Sequence, residues 1–158
     1  MKITFVRLTK SNIDKVSKIK VSKEQSKYIY PVKNTIKLGL KKSEKGINYY
    51  LRCVKYKNNH VGIFLLCLNE KPYMNSSDNY RPGALLSRLM IDKKYQHLGI
   101  GDFVLKEVIK YVKSLGYRNL YATCVLGEKS PIHFFEKRGF KKTGKKLWDE
   151  EQEIILKL

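Results

Sequence analysis

Short stretches of alternating hydrophobic and polar residues predict several strands. Residues 2–8 (KITFVRL) alternate in this way, and two further strands are predicted at 47–57 and 60–68, around the polar pair at 58–59. A polar pair between two such runs is typical of a tight hairpin turn. The more continuous apolar run at 84–92 (ALLSRLMID) is typical of a strand that is buried on both faces. The first part of the chain is therefore expected to form a sheet with hairpin connections.

Two segments in the second half of the chain have the spacing of helices. In 100–115 the apolar residues share one face, and Gly116 follows at the position where helices commonly end. A shorter helix is predicted from 131 to about 138, because Ser130 can cap its start and Gly139 can end it.

The N-terminal region predicts two more helices. The first lies within residues 9–20 (TKSNIDKVSKIK), where apolar residues recur at helical spacing. The second is predicted to begin after Ser22, because Gln25 follows three residues later, as in a capping box. Pro31 is expected to kink or interrupt this second helix.

The remaining segments predict a loop and three more strands. Proline, glycine and polar residues at 69–83 predict the loop. Strands are predicted at 118–125, at 140–146 (FKKTGKK) and at 151–158 (EQEIILKL). The strand–helix–strand unit at 84–125 should be parallel and right-handed, because a helix connects its two strands.

Composition favours one folded domain over residues 1–158. The chain is 42% hydrophobic and has 158 residues, which is long enough to bury a core. It contains no apolar run that could span a bilayer, and its charged, alternating N-terminus does not resemble a signal peptide. We therefore expect a cytoplasmic protein without a membrane partner.

The cysteines predict neither a disulfide framework nor a metal site. Cys53, Cys67 and Cys124 each fall in a predicted strand, and none belongs to a CxxC pair. Buried reduced thiols are therefore expected, and no metal is predicted.

The net charge is strongly positive, with 33 Lys and Arg against 14 Asp and Glu, or +19 in total. Such a surface attracts polyanions, including nucleic acids and nucleotide phosphates. However, most of the basic residues are lysines spread along the whole chain. Because dispersed lysine is typical of a solvated surface, nucleic-acid binding is not expected to be the function.

Two glycines, Gly99 and Gly101, precede the long predicted helix in the stretch YQHLGIG. A helix start exposes unpaired N–H groups and binds anions, and glycines let a phosphate approach the backbone. A P-loop would require Gly-Lys-Ser/Thr here, and a dinucleotide-binding loop would require glycine in place of Val104. Both are excluded. By themselves, the two glycines also fit a simple helix entry.

The neighbouring motifs favour a specific family. The stretch QHLGIG at 96–101 resembles the Q/R-x-x-G-x-G/A acetyl-CoA loop of the GNAT superfamily of N-acetyltransferases. SPIHFFEKRGFKKTG at 130–144 resembles the second signature of that family, and EIILKL at 153–158 resembles its last strand. The resemblance is strongest over 85–144. VSKEQSKYIYPV at 21–32 is similar to a stretch of bacterial diamine (spermine/spermidine-type) acetyltransferases.

The resemblance implies an α/β (α+β) fold and an acetyl-CoA site. The implied sheet is mixed and mostly antiparallel, with a splayed parallel pair at about 84–91 and 119–125 and about four flanking helices. Acetyl-CoA would lie between the splayed strands, and Lys137 or, alternatively, Lys129 would contact its phosphates. The residues that the resemblance assigns to acetyl-CoA are Leu89, Met90, Ile91, Gln96, His97, Leu98, Gly99, Ile100, Gly101, Phe134 and Lys137.

The implied reaction is acetyl transfer to a primary amine of a small molecule, with a polyamine such as spermidine or spermine as the leading acceptor. Glu24, Tyr28 and Glu153 are the residues assigned to it, and 149–153 is the one dense acidic run in the sequence. Acetylation of a protein or ribosomal protein, and a catalytically weak binding module, are the alternatives. A homodimer is one assembly that the resemblance allows.

The resemblance does not identify the catalytic acid and base of this chain. Many family members have a tyrosine as acid where this chain has Phe135, and some have an acidic base where it has Arg88. CoA therefore leaves as an unaided thiolate, or a nearby group such as Cys124 replaces the acid, or activity is low or absent. The sequence identifies no catalytic base, and an ordered water is the alternative.

Overall fold

The structure, a computed structural model, describes residues 1–44, 49–68, 83–147 and 150–158. The strands are β1 (Ile3–Val6), β2 (Tyr49–Tyr56), β3 (Asn59–Leu68), β4 (Ala84–Ile91), β5 (Asn119–Val125), β6 (Lys141–Leu147) and β7 (Glu151–Lys157). The α-helices in this part of the chain are α1 (Ile13–Val16), α2 (Val32–Glu44), α3 (Ile100–Ser114) and α4 (Ile132–Glu136). Nearly all of the predicted loop at 69–83 lies outside the described residues.

The seven strands form one sheet in the order β1-β2-β3-β4-β5-β7-β6. β4 and β5 are parallel and are connected through α3, whereas the other neighbouring strands pair antiparallel. The predicted mixed, mostly antiparallel sheet with one parallel pair and about four helices is therefore confirmed.

β4 and β5 separate soon after they meet. Their register pairs Ala84 with Leu120 and continues only as far as Leu86, although β4 runs on to Ile91 and β5 to Val125. The prediction of a splayed pair is thus confirmed, and a gap opens in the sheet between the two strand ends.

A β-bulge in β4 precedes this gap. Leu66 of β3 lies opposite Leu86, but its neighbour Leu65 lies opposite Arg88, so Ser87 is an extra residue in β4. Such a bulge changes which face the following side chains occupy.

The core lies on both faces of the sheet. The larger cluster packs α3 and α4 against residues such as Phe64 and Ile154. On the other face, Val16 of α1 and Ile36 of α2 pack against Ile63. Alternate residues of the central strands face opposite layers, which explains why β3 is apolar almost throughout. Among the described helices, none combines the length and apolar character that crossing a membrane requires.

The prediction of a helix beginning after Ser22 was wrong. The predicted capping box forms, with hydrogen bonds of 3.3 and 3.2 Å between Ser22 and Gln25, but it opens only a 3₁₀ turn at Gln25–Lys27. Pro31 does not kink a helix; instead it immediately precedes α2, which begins at Val32. The reason is that proline disfavours helical backbone in the preceding residue but is compatible with a helix start.

The hairpin turn lies one residue earlier than predicted. Tyr56 pairs with Asn59, so the turn consists of Lys57 and Asn58. Lys57 has a φ of +55°, the left-handed conformation that tight hairpin turns require.

Candidate functional site

A cleft of about 560 Å³ opens where the end of β4, the start of α3 and α4 meet. Most of the residues that the resemblance assigned to acetyl-CoA line it, namely Leu89, Met90, Ile91, Gln96, His97, Gly99, Gly101 and Phe134. Three do not. Leu98 is 50% exposed outside the lining, Ile100 is 1% exposed within the core, and Lys137 is exposed and does not belong to the lining.

The two glycines have different structural roles. Gly99 has a φ of +79° and caps α3, a conformation that glycine adopts without steric cost. Gly101 lies in the first turn of α3, where an added Cβ would be 3.4 Å from the Phe134 ring. The positive end of a fifteen-residue helix therefore faces the cleft with little side-chain cover.

Gln96 fixes the loop before α3 to its surroundings. Its side-chain amide donates to the carbonyl of Ile91, at the end of β4, over 2.9 Å. The same side chain exchanges two hydrogen bonds, of 3.0 and 3.1 Å, with the amide of Gln25. This pair joins the glycine loop to the turn before α2, so both walls of the cleft are connected.

Arg138 is a cleft residue that the sequence analysis missed. Its guanidinium lies 3.7 Å above the centre of the Phe134 ring, donates to the Phe134 carbonyl at 2.7 Å, and forms an ion pair with Asp102. Its position four residues after Phe134 was the available signal, because residues four apart in a helical stretch lie close together. Lys137, three residues after Phe134, has the same kind of spacing, so the sequence alone does not distinguish the two. Lys129, the alternative phosphate contact, also lines the cleft.

A second, smaller cavity of about 50 Å³ occupies the gap between β4 and β5. It shares Ile29, Leu89, Met90, Pro131 and Phe135 with the larger cleft. Residues from both faces of the sheet line it, so the two spaces meet within the sheet.

Phe135 lies at the junction of the two cavities. Its ring is 6% exposed and contacts Phe134 and Phe140 edge-on, with centroids 5.2 and 5.1 Å away. The position for which the resemblance implies a tyrosine therefore borders both spaces, but its phenylalanine offers no proton.

The polar lining of the smaller cavity consists mainly of Tyr28, Arg88, Thr123, Cys124 and Glu151, with Tyr30, Thr35 and Ser87. Tyr28 is the predicted acceptor residue that lies here, packed against Gly127, where a Cβ would be 2.2 Å from its ring.

The other two predicted acceptor residues lie elsewhere. Glu24 is exposed and lines neither cavity, and Glu153 is 0% exposed within β7. Within the acidic run, Glu151 is the residue that reaches the lining, and Asp149 lies outside the described residues.

The predicted buried thiols are found in β2, β3 and β5. Burial, together with the charges of Glu151 and Glu136, raises the pKa of the Cys124 thiol to about 12. In the part of the chain that the structure describes, no group of three or more histidine, cysteine or acidic side chains could hold a metal ion.

The Asp102–Arg138 pair predicts a pH dependence of stability. The hydrogen bond from Arg138, with the charges of Arg138 and Lys106, lowers the pKa of Asp102 in the folded protein. A lowered folded pKa gives stability that is complete above the unfolded value, about 3.9, and is lost as pH falls through the folded value. Asp102→Asn should therefore melt below the wild type at pH 6, with a difference that shrinks below about pH 4. Thermal melts followed by circular dichroism measure this, with Asp14→Asn in α1 as control. A difference that stays constant to the lowest pH would contradict the prediction.

Comparisons with known proteins agree with this geometry. The acetyltransferase (GNAT) family model matches residues 20–140. No curated protein sequence matches the chain. The chain is similar in structure to PH1933 from Pyrococcus horikoshii OT3, with 21% identity over 99% of each chain and a TM-score of 0.71. It is also similar to PaiA N-acetyltransferase from Thermoplasma acidophilum in complex with coenzyme A, with 17% identity over 100% of each chain and a TM-score of 0.69.

A GNAT family acetyltransferase from Elizabethkingia anophelis with acetyl-CoA bound is similar as well. The identity is 19% over 99% of this chain and 98% of the other, and the TM-score is 0.63. At such identities the structures establish a shared fold, whereas the family model extends over most of the chain. The chain therefore belongs to the acetyltransferase (GNAT) family and is an acetyltransferase.

Proposed function

We propose that the chain binds acetyl-CoA in the larger cleft and transfers the acetyl group to a primary amine that reaches it through the smaller cavity. The observation that carries this proposal is the continuity of the two spaces at the gap between β4 and β5. A thioester held on one side of this gap faces an amine held on the other.

The cleft offers a partner for each part of acetyl-CoA. Beyond Leu86, the edge of β4 that faces β5 has no strand partner among the described residues, so the backbone of Leu89 to Ile91 can bind the amide groups of pantetheine like an added strand. The start of α3 suits the pyrophosphate. Lys129 brings positive charge to the same cleft, whereas the charge of Arg138 is paired with that of Asp102, which also lines it.

In the reaction, the nitrogen of a neutral amine attacks the thioester carbonyl. The new C–N bond forms, the C–S bond breaks, one proton passes from the amine nitrogen to solvent water, and CoA leaves as a thiolate. Cys124 is poorly suited to protonate that thiolate, because a thiol with a pKa of about 12 holds its proton more tightly than an ordinary thiol of about 8.5. Departure of CoA as an unaided thiolate is the route that the lining supports.

The acceptor is a small primary amine, and the polyamine predicted from the resemblance is one candidate. The lining of the smaller cavity includes one acidic residue, Glu151, which can accept a hydrogen bond from the amine. The aromatic residues Tyr28 and Tyr30 form the wall toward α2.

Thiol release from acetyl-CoA tests this function. The panel contains spermidine, spermine, short diamines, amino acids, aminoglycosides and peptides, each with and without the protein. We expect amine-dependent CoA release with at least one small amine, and the acetylated amine in the mass spectrum. Turnover of peptides alone would favour a protein acetyltransferase. Acetyl-CoA binding without turnover of any amine would favour a binding module and overturn the proposal.

Two lysines provide a matched test of the acetyl-CoA site. Lys129 lines the cleft whereas Lys137 does not, although both are exposed and close in sequence. Lys129→Ala should weaken acetyl-CoA binding about three- to tenfold, about 0.7–1.4 kcal/mol, because a partly exposed phosphate contact is lost. Lys137→Ala should leave the affinity unchanged. Titration calorimetry measures both variants, and an equal loss in the two would contradict this assignment.

Phe135 tests the missing acid. Phe135→Tyr places a hydroxyl at the junction of the two cavities and should raise kcat about tenfold, equivalent to about 1.4 kcal/mol, by protonating the departing thiolate. Phe134→Tyr is the control, because Phe134 lines the larger cleft but not the smaller cavity. Steady-state rates of both variants decide the matter, and an unchanged kcat in Phe135→Tyr would show that no acid is needed there.

A further inference from the structure

We propose that the acceptor amine carries a carboxylate close to its amino group, and that Arg88 binds this carboxylate in the smaller cavity. The inference rests on the acetyl transfer proposed above and narrows its substrate class from amines in general to amino acids and similar compounds.

Arg88 is held at the cavity by contacts on one side of its guanidinium. Its Nη1 donates to the carbonyl of Ser87 at 2.7 Å and to the Ser87 hydroxyl at 3.3 Å. Its Cζ lies 4.6 Å from the centre of the Tyr30 ring. The bulge at Ser87 puts Arg88 opposite Leu65, on the face of the sheet that α1 and α2 cover. These contacts orient the group with little loss of entropy on binding a ligand.

The opposite edge of the guanidinium has a buried donor without a partner among the described residues. The Nε atom of Arg88 is buried and makes no hydrogen bond to any described residue. A buried donor of a charged group without an acceptor is unfavourable, so its position beside a cavity points to an acceptor on a bound molecule. Nε and Nη2 together present two parallel N–H groups, the geometry that a carboxylate satisfies with both oxygens.

Glu151 supplies the complementary charge in the same cavity. It belongs to β7, on the far side of β5 from Arg88, and it is the one acidic residue in the described lining. A cavity of about 50 Å³ has room for a few non-hydrogen atoms. A small group with an amine and a carboxylate on neighbouring atoms matches both the charges and the size, whereas the chain of a diamine has no group for Arg88.

The groove next to the smaller cavity also favours a carboxylate. A groove of about 440 Å³ shares Ile29, Tyr30 and Met90 with the smaller cavity. Four lysines and no acidic residue occur among its described lining residues, and these lysines are Lys20, Lys23, Lys33 and Lys93. Together with the net charge of +19, this groove attracts an anionic group and repels a polycation.

Matched amines that differ by one carboxylate test the proposal. Lysine is compared with cadaverine, ornithine with putrescine, and each amino acid with its methyl ester, which keeps the amine but removes the negative charge. In each pair, we expect the kcat/KM of the wild type to be at least tenfold higher for the compound that carries the carboxylate. Arg88→Gln should reduce this ratio to about one, and Arg88→Lys should restore part of it, because a lysine keeps the charge but not the two-point geometry.

Arg52→Gln is the control variant. Arg52 also donates to a neighbouring carbonyl, that of Leu51 at 2.8 Å, and lies 3.5 Å from the centre of the Tyr50 ring. Because it lines none of the three cavities, its loss should leave the ratio unchanged. Unchanged acetyl-CoA affinity and circular dichroism spectra in Arg88→Gln show that the variant is folded.

Equilibrium binding separates this proposal from the proposed reaction. Nα-acetyl-lysine and N-acetylcadaverine are titrated into the protein with CoA present, so the measurement needs no turnover. If Nα-acetyl-lysine binds more tightly than N-acetylcadaverine and Arg88→Gln abolishes this difference, the carboxylate site is supported even without catalysis. If no amine is acetylated in the thiol assay, only the proposed reaction is contradicted. A preference for cadaverine and putrescine, or a carboxylate preference that survives in Arg88→Gln, would overturn the inference.

Discussion

The incomplete pairing of β4 and β5 is the constraint on which the candidate site depends. Pairing ends at Leu86, so the rest of β4 has backbone groups on one edge without a strand partner. Buried backbone groups need hydrogen-bond partners, and the helix that connects these strands starts at the same end of the sheet. A strand edge and a helix N-terminus therefore face one cleft. A ligand with amide groups in its middle and phosphates at its end satisfies both, which is the chemistry of CoA.

The bulge at Ser87 extends this constraint to the acceptor side. After the extra residue, Arg88 lies opposite Leu65 on one face and Leu89 opposite Phe64 on the other. A strand without the bulge would exchange these two faces, because side chains alternate along a strand. The guanidinium would then point toward the α3 layer and the apolar Leu89 toward the amine. The same irregularity therefore places Leu89 on one face and Arg88 on the other, which are the acetyl side and the acceptor side of the proposed reaction.

Local patterns predicted the long helix and the glycine loop well, because their signals lie in adjacent residues. The helix was expected at 100–115 and is observed at Ile100–Ser114. The predictions that were wrong concern how far an element extends and which of its residues tertiary packing brings to the site. Glu151 and Glu153 share a face of β7, but only the position of the gap between β4 and β5, a tertiary feature, decides which of them reaches the cavity. The capping box at Ser22 formed as predicted, yet tertiary context and Pro31 limited it to one turn.

Charge acts on this protein at two ranges, and both favour the same ligands. Over long distances the net charge of +19 favours encounter with anions such as CoA, although salt screens it beyond about 10 Å at 0.1 M. At contact distance, the choice of ligand depends on individual charged side chains and their partners. Arg138 has Asp102 as its partner in the larger cleft, whereas the Nε atom of Arg88, which lines the smaller cavity, makes no hydrogen bond to any described residue. Neither range favours a polycation, so the distribution of charge agrees with the proposed carboxylate-bearing acceptor as well as with CoA.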